Sequence, residues 1–466
     1  MSSREQNRVF SPVFVALVTS ICTRGVQSLG GVIINAAIAR HLNTDEFGSY
    51  FIILSVASLL STFILFGSNT VILRVSASNG SVVAFKEMFK MSLSMLITAC
   101  IVYLVYFSDV GYSLLSYFGL NVVSDLQYIV AGLAAVVAMQ SLMHDYYRGG
   151  GRLTFAAAVA NNGALGSIGY GFVSNILFCC GLSLLLLFGI KLNLYQILCS
   201  GTIIGALIVC FAWTTEKIKV SRFASEVGEV FSKRRRSMER GALLLTALLA
   251  IVLNQMDIYT VSLYFSKTEV GLYGAAQRLS LIVLLPLMII TAFFQPISAR
   301  LFSTGDMKTL SGISRAFTSV LLALGIAALI IFMIAGKQLM SFVYGPAFMV
   351  GAGILVLKAA GSVALLGTGL ANAVFTTTGN ERFLVIVGFL GVCLFSGFTM
   401  VWTPSSIEQV AALHSTVIAI MSSLYAYYSR RHISVDISPC LRPREIWKVL
   451  QGTFSGRGMN ISVGSN

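Results

Sequence analysis

Long apolar runs alternate with short polar turns from near the start of the chain to about residue 428. Twelve runs are long enough for a membrane-crossing helix of ~20 residues. They lie at about 12–39, 47–68, 88–108, 127–147, 168–190, 193–214, 241–266, 272–297, 316–336, 349–376, 383–402 and 408–428. The runs are too long and too continuous for the ~10-residue alternating strands of a membrane β-barrel. The pattern therefore predicts an all-α integral membrane protein with about 12 transmembrane helices.

One polar interruption is written twice. Glu46-Phe47-Gly48-Ser49-Tyr50 and Glu269-Val270-Gly271-Leu272-Tyr273 each follow one apolar run and open the next. They lie about half a chain apart with similar hydropathy on both sides, the mark of an internal duplication. In each copy Glu is expected in a turn and Gly at the start of a closely packed helix. Tyr is expected at the membrane–water boundary with its hydroxyl in water. The longest polar connection, 215–240, falls mid-chain. It divides the sequence into an N-terminal six-helix lobe (1–214), a basic linker, a C-terminal six-helix lobe (241–428) and a polar tail (429–466). Within the tail, Pro443 is placed to open a short helix carrying Ile446, Trp447 and Leu450.

Composition strengthens the membrane reading: 11% of residues are charged, against roughly 25% in soluble domains, and mean hydropathy is +0.84. A net charge of +14 raises the question of nucleic acid. The placement of the charge argues against it, because roughly 25 of the 32 Lys and Arg fall in alternate loops and the tail, as the positive-inside rule requires. That asymmetry puts both termini in the cytoplasm. The run Lys233–Arg236 reads as part of the orientation signal, with anionic-lipid binding as the alternative. The first apolar run contains Arg24 and lacks a small-residue cleavage site, so it is expected to persist as a span. Outer loops are short, the longest being about 109–126. Seven of the eight cysteines fall inside apolar runs without metal-ligand spacing, so neither disulfides nor a metal site is expected. No catalytic constellation is visible either.

Charges inside spans are costly and point to function. Arg24 lies ~18 Å along the first helix, too deep to reach water easily. Ser20, Arg24, Gln27, Ser28, Gly31 and Asn35 share one helical face. Such a face lines a cavity, or Arg24 is a structural group bonded to carbonyls of a neighbouring helix. Asp257 and Arg278 fall in the outer halves of spans seven and eight. They are either an inter-helix salt bridge, or a substrate contact (Arg278) beside a protonatable or cation-binding group (Asp257). Lys358, in span ten, shares a face with Gly361, Ser362, Gly369 and Asn372. It lines a cavity or snorkels to the outer surface. His144–Arg148, ending span four, is either a gate cluster or a solvated helix end.

Several stretches together resemble the multidrug/oligosaccharidyl-lipid/polysaccharide (MOP) exporter superfamily, and within it the Wzx-type polysaccharide flippases. They are Ala39-Arg40-His41-Leu42 before Glu46–Tyr50; Gln255 and Asp257 before Glu269–Tyr273 and Ala275–Leu279; Pro296-Ile297-Ser298 with Gly305-Asp306; and Tyr344–Phe348. The resemblance runs from about 12 to 428. It implies two six-helix lobes related by a pseudo-two-fold axis along the membrane normal, alternating access around a central cavity, and a bacterial inner membrane. It also implies movement of an undecaprenyl-diphosphate-linked oligosaccharide, an O-antigen, capsule or exopolysaccharide unit, from the cytoplasmic to the periplasmic leaflet. Partners would be that lipid and the membrane, with a polysaccharide polymerase and chain-length regulator beside it. Arg24 and Arg278 match cavity arginines of relatives that flip a lipid-linked peptidoglycan precursor. Those relatives usually have fourteen spans; twelve favour the O-antigen or capsule type. The Gly-rich region 149–171 departs from the pattern and is expected to be irregular or re-entrant.

A flippase is thus the favoured expectation. Arg24, Arg278 and Lys358 would hold the diphosphate, with Gln27, Ser28 and Asn35 on the same wet face. Asp257 is the candidate for coupling to H+ or Na+, and no cofactor is expected. A multidrug cation antiporter would be expected to have a cavity dominated by carboxylates. A membrane polysaccharide polymerase or ligase would need a sizeable outer loop.

Overall fold

The computed structural model describes residues 30–78, 81–117, 126–150, 152, 155–156, 178, 180–185, 187–222 and 233–440. Among these residues there is helix but no β-strand. Ten helical stretches are long and apolar enough to cross a membrane. They correspond to expected spans two to four, six and seven to twelve. Most of the first span, about half of the fifth including its start, most of region 149–171 and the expected tail helix at Pro443 lie outside the described residues. The chain is a multi-pass, all-helical membrane protein.

In chain order the helices are α1 (30–41), α2 (Thr44–Leu65), α3 (Ser68–Ser78), α4 (Ser81–Tyr106), α5 (Asp109–Tyr117), α6 (Gln127–Gly149), α7 (Leu194–Arg222) and α8 (Lys233–Tyr264). After these come α9 (Lys267–Ser280), α10 (Leu285–Ser303), α11 (Met307–Tyr344), α12 (Ala352–Leu366), α13 (Ala371–Thr377), α14 (Glu381–Val401) and α15 (Ile407–Tyr428). Two compact units emerge. One comprises Met1–Leu279, Lys337–Ala352 and Pro404–Val410; the other comprises Ser280–Gly336, Gly353–Thr403 and Ala411–Asn466.

In the first unit, α2 is the core. Every residue from Phe47 to Ala57 is buried, as expected of a helix that is apolar all round and packed on several sides. It lies along α4, α6 and α8. Much of the expected outer loop 109–126 is helical, as α5: Asp109 provides an acidic first turn suited to the helix dipole.

Expected spans eight and ten are not continuous helices. Span eight tightens into a 3-10 turn at Leu281–Leu284 between α9 and α10. Pro286, in the first turn of α10, supplies the cause. It has no N–H for the carbonyl four residues back, and its ring crowds that turn. Span ten starts as a 3-10 turn at Pro346–Gly351 and breaks again at 367–370, between α12 and α13. In the second unit, residues after α15 run back along α11. The Asp436 N–H donates to Ser311 Oγ at 2.7 Å, and the Cys440 N–H donates to Ser319 Oγ at 2.7 Å. Eight helical residues rise ~12 Å and four extended residues ~13 Å, so the two bonds repeat in register.

Candidate functional site

The duplicated pentapeptide organises the first unit, with one correction to the expected role of its tyrosine. Each copy begins as a capping box. Asn43 Oδ1 accepts the Glu46 N–H at 2.8 Å while Glu46 Oε2 accepts the Asn43 N–H at 3.3 Å. In the second copy the Ser266 N–H and hydroxyl donate to Glu269 Oε2 at 2.9 and 2.7 Å, and the Glu269 N–H returns to Ser266 Oγ at 3.3 Å. The glutamates thus start helices. The glycines meet each other: a Cβ on Gly48 would lie 1.9 Å from the Lys267 carbonyl oxygen, and one on Gly271 would lie 2.5 Å from that of Thr44. The first turns of α2 and α9 cross at this point, and Thr268 Oγ1 also donates to Asp45 Oδ1 across it.

The tyrosines are not at the water boundary. Tyr50 and Tyr273 are both fully buried. Tyr50 donates to Asn35 Oδ1 at 3.2 Å, and Tyr273 donates to Asp257 Oδ2 at 2.8 Å. The separations are 15 and 16 residues, so each copy ties the new helix back to a polar residue on the helix before it. Burial without such a partner would cost a hydroxyl about 1–3 kcal/mol, which is why the polar residue recurs with the motif.

Asp257 is the polar centre. Its carboxylate also accepts from Gln277 Nε2 at 3.2 Å and from the Ile258 N–H at 3.0 Å. Tyr273 and Gln277, four residues apart on α9, therefore grip one carboxylate from one helix face. Arg278 follows. It is 2% exposed, and its guanidinium carbon lies 5.5 Å from the centre of the Phe51 ring. That ring is pressed against α9 where Gly274 provides the space: a Cβ there would sit 2.2 Å from the ring. Phe51 belongs to an aromatic group with Phe47 and Tyr50, and Phe47 continues it to Tyr344 and Phe348. Tyr50, Tyr344 and Asp257 are within electrostatic reach of the guanidinium. A desolvated cation over an aromatic face gains ~2 kcal/mol or more. The arrangement can hold a positive charge away from water inside this unit.

The structure brings Asn35, Asp257 and Arg278 into this one unit. Arg24, Gln27 and Ser28 lie outside the described residues. Lys358 belongs to the second unit, 7% exposed, with Nζ 2.9 Å from His414 Nδ1, so it does not snorkel to the outer surface. His144–Arg148 is not a solvated helix end: Tyr146 and Tyr147 are buried. Tyr146 donates to Glu216 Oε2 at 3.2 Å, and Arg152 Nη1 reaches Glu216 Oε1 at 2.6 Å. Glu216 (1% exposed) had no role in the sequence reading. Its signal was a lone acid two residues past the expected end of span six. His414 was also missed. An isolated His in an otherwise apolar span was the available sign.

No family model matches the chain, and no curated protein sequence matches it. Solved structures do. An inward-facing multidrug resistance MATE family transporter of the MOP superfamily aligns with TM-score 0.59 and 13% identity, over 89% of this chain and 94% of that one. The lipid II flippase MurJ, inward closed, aligns with TM-score 0.61 and 14% identity, over 98% and 93%. A MOP superfamily transporter from Pyrococcus furiosus, described by the reverse polarity of its binding pocket, is 12% identical with TM-score 0.57, over 90% and 94%. The chain shares the fold of these transporters. Among its described residues, the fully buried carboxylates are Asp257 and Glu216. The first accepts from Tyr273 and Gln277, the second from Tyr146 and Arg152.

Proposed function

We propose that the chain is a flippase carrying an undecaprenyl-diphosphate-linked oligosaccharide from the cytoplasmic to the periplasmic leaflet of a bacterial inner membrane. The observation that carries this reading is Arg278, a buried guanidinium over Phe51 in a unit whose one intramembrane carboxylate nearby, Asp257, is held by Tyr273 and Gln277. A diphosphate brings about two negative charges, and Arg offers a planar fork of donors matched to phosphate oxygens. Arg24 joins Arg278 at the diphosphate, while Gln27, Ser28 and Asn35 serve the sugar hydroxyls. The prenyl chain stays in lipid. No covalent bond changes, and an ion gradient of H+ or Na+ supplies the energy. Arg278 and Asn35 are buried in this conformation, Asn35 against the Tyr50 hydroxyl, so their contact with the substrate belongs to another state of the alternating-access cycle.

The MOP fold supports a transporter of either charge preference. A multidrug cation antiporter would use buried carboxylates as cation ligands, and the two described here already accept hydrogen bonds from neighbouring side chains. The deciding experiment uses cells lacking this gene, with a downstream block to limit toxicity and the steps that make the lipid-linked glycan left intact. Their lipids are extracted and the leaflet of any undecaprenyl-diphosphate oligosaccharide is determined. Accumulation on the cytoplasmic side with loss of surface glycan is the expected result. Normal surface glycan with new drug sensitivity would transfer the assignment to the antiporter.

A further inference from the structure

The second unit contains a pair that phosphate recognition does not use. Lys358 on α12 and His414 on α15 are 7% and 8% exposed, and Nζ lies 2.9 Å from Nδ1. His414 sits seven residues into its helix, ~10 Å along the axis. The two helices are locked together around the pair. Ser415 Oγ donates to the Leu357 carbonyl at 2.8 Å, and a Cβ on Gly361 would stand 2.7 Å from that Oγ. The Phe395 ring of α14 stands edge-on to the imidazole, with centroids 6.0 Å apart. The acids on these packed helices sit at helix starts: Glu408 is six residues before His414 and Glu381 fourteen before Phe395. Arg382 shares the far end of α14 with Glu381, and Lys308 and Arg315 lie in the first turns of α11.

Two nitrogen bases at 2.9 Å hold one hydrogen bond only if one of them offers a lone pair. A protonated Lys358 with neutral His414 satisfies this, as does a neutral amine with an imidazolium. A fully deprotonated pair keeps the bond too. A doubly protonated pair cannot: it loses the acceptor and sets two like charges in contact away from water. While closed, the pair therefore carries one excess proton or none. It titrates as a unit rather than as two independent residues. Histidine is the side chain whose ordinary range lies nearest neutrality, and an amine in hydrogen-bond contact with it can pass the shared proton in either direction. Those are the properties of a reversible proton carrier.

We propose that Lys358 and His414 form the proton-binding site through which this transporter is coupled to a proton gradient. This rests on the transporter reading above but assigns Lys358 to protons instead of to the substrate phosphate. The driving ion is then H+, loaded on the unit that does not contain Arg278.

The test has two readouts. The first needs no substrate. Full-length protein in nanodiscs is labelled with 15N-histidine, and the His414 imidazole is followed against pH in wild type and in Lys358→Met. Coupling predicts that His414 titrates at a clearly different pH once the lysine is neutral. Superimposable curves overturn the proposal whatever the protein transports. The second is surface-glycan restoration in the deletion strain. Lys358→Arg keeps volume and charge but cannot give up a proton, so it is expected to accumulate normally yet lose restoration. His414→Gln is expected to lose restoration too. Wild-type restoration by either variant, still abolished by a protonophore, overturns the proposal. A wild-type protein that moves no lipid-linked glycan, yet shows the shifted titration, would fail the substrate reading alone.

Discussion

At the residue scale, the informative side chains are those whose polar atoms the membrane cannot solvate. Tyr273 is the sharpest case. Its hydroxyl donates to Asp257 beside Gln277 Nε2 and the Ile258 N–H, and both Tyr273 and Asp257 are fully buried. Tyr273→Phe removes the donor and leaves the carboxylate under-solvated, at a cost of about 1–3 kcal/mol. Tyr50→Phe removes a bond to a neutral amide oxygen, so its cost is nearer the ~1 kcal/mol of an ordinary hydrogen bond. Thermal melting in detergent should therefore rank Tyr273→Phe below Tyr50→Phe, with wild type highest. Asp257→Asn combined with Tyr273→Phe should recover part of the loss, since the charge that needed the donor has gone. Equal melting of the two single variants would remove the distinction between the copies. These roles were half legible in the sequence. Recurrence of Glu, Gly and Tyr gave away a duplicated structural device. The tyrosine's surroundings were invisible, because its partners stand 15 and 16 residues earlier and nothing local marks them. Without those partners a tyrosine after a turn reads as a water-boundary anchor.

At the element scale, hydropathy marked where helices run and missed where they bend. Ten expected spans match described helical stretches, because a run of ~20 apolar residues has little choice in hydrocarbon. The 3-10 turns at Leu281–Leu284 and Pro346–Gly351 escaped a window that averages over them, although Pro286 and Pro346 were there to be read. The crossing of α2 and α9 is the element-scale feature with the clearest consequence. Gly48 and Gly271 stand opposite each other, each Cβ position occupied by backbone of the other helix. Gly48→Ala and Gly271→Ala should each destabilise by about 1–3 kcal/mol, the range for overpacking. Both would push the same two helices apart, so the double variant should cost distinctly less than the sum. Strict additivity in a double-mutant cycle by thermal unfolding would mean that the glycines act separately and that the crossing is not one shared contact.

At the scale of the whole molecule, the distribution of charge across the membrane region bears most on function. Both fully buried carboxylates among the described residues accept hydrogen bonds from donors on neighbouring helices or on their own unit's Arg152. Arg278 and Lys358 are buried, and the sequence places a further cation, Arg24, in the first apolar run. If Lys358 serves protons with His414, the two arginines remain for an anion, and their number suits a diphosphate better than a monophosphate. The purified protein should then retain undecaprenyl diphosphate over undecaprenyl phosphate in native mass spectrometry. Each buried Arg–phosphate contact counts among the stronger, charge-assisted hydrogen bonds, at ~1.5–3 kcal/mol, or roughly tenfold to a hundredfold in affinity. Arg278→Ala and Arg24→Ala should each lower retention of the diphosphate by that order and bring it close to the monophosphate. Arg24→Lys should recover part of it, because a point charge replaces the fork. Lys358→Met should leave the preference unchanged. Loss of preference in Lys358→Met, with both arginine variants behaving as wild type, would move the phosphate to the second unit and return Lys358 to the substrate.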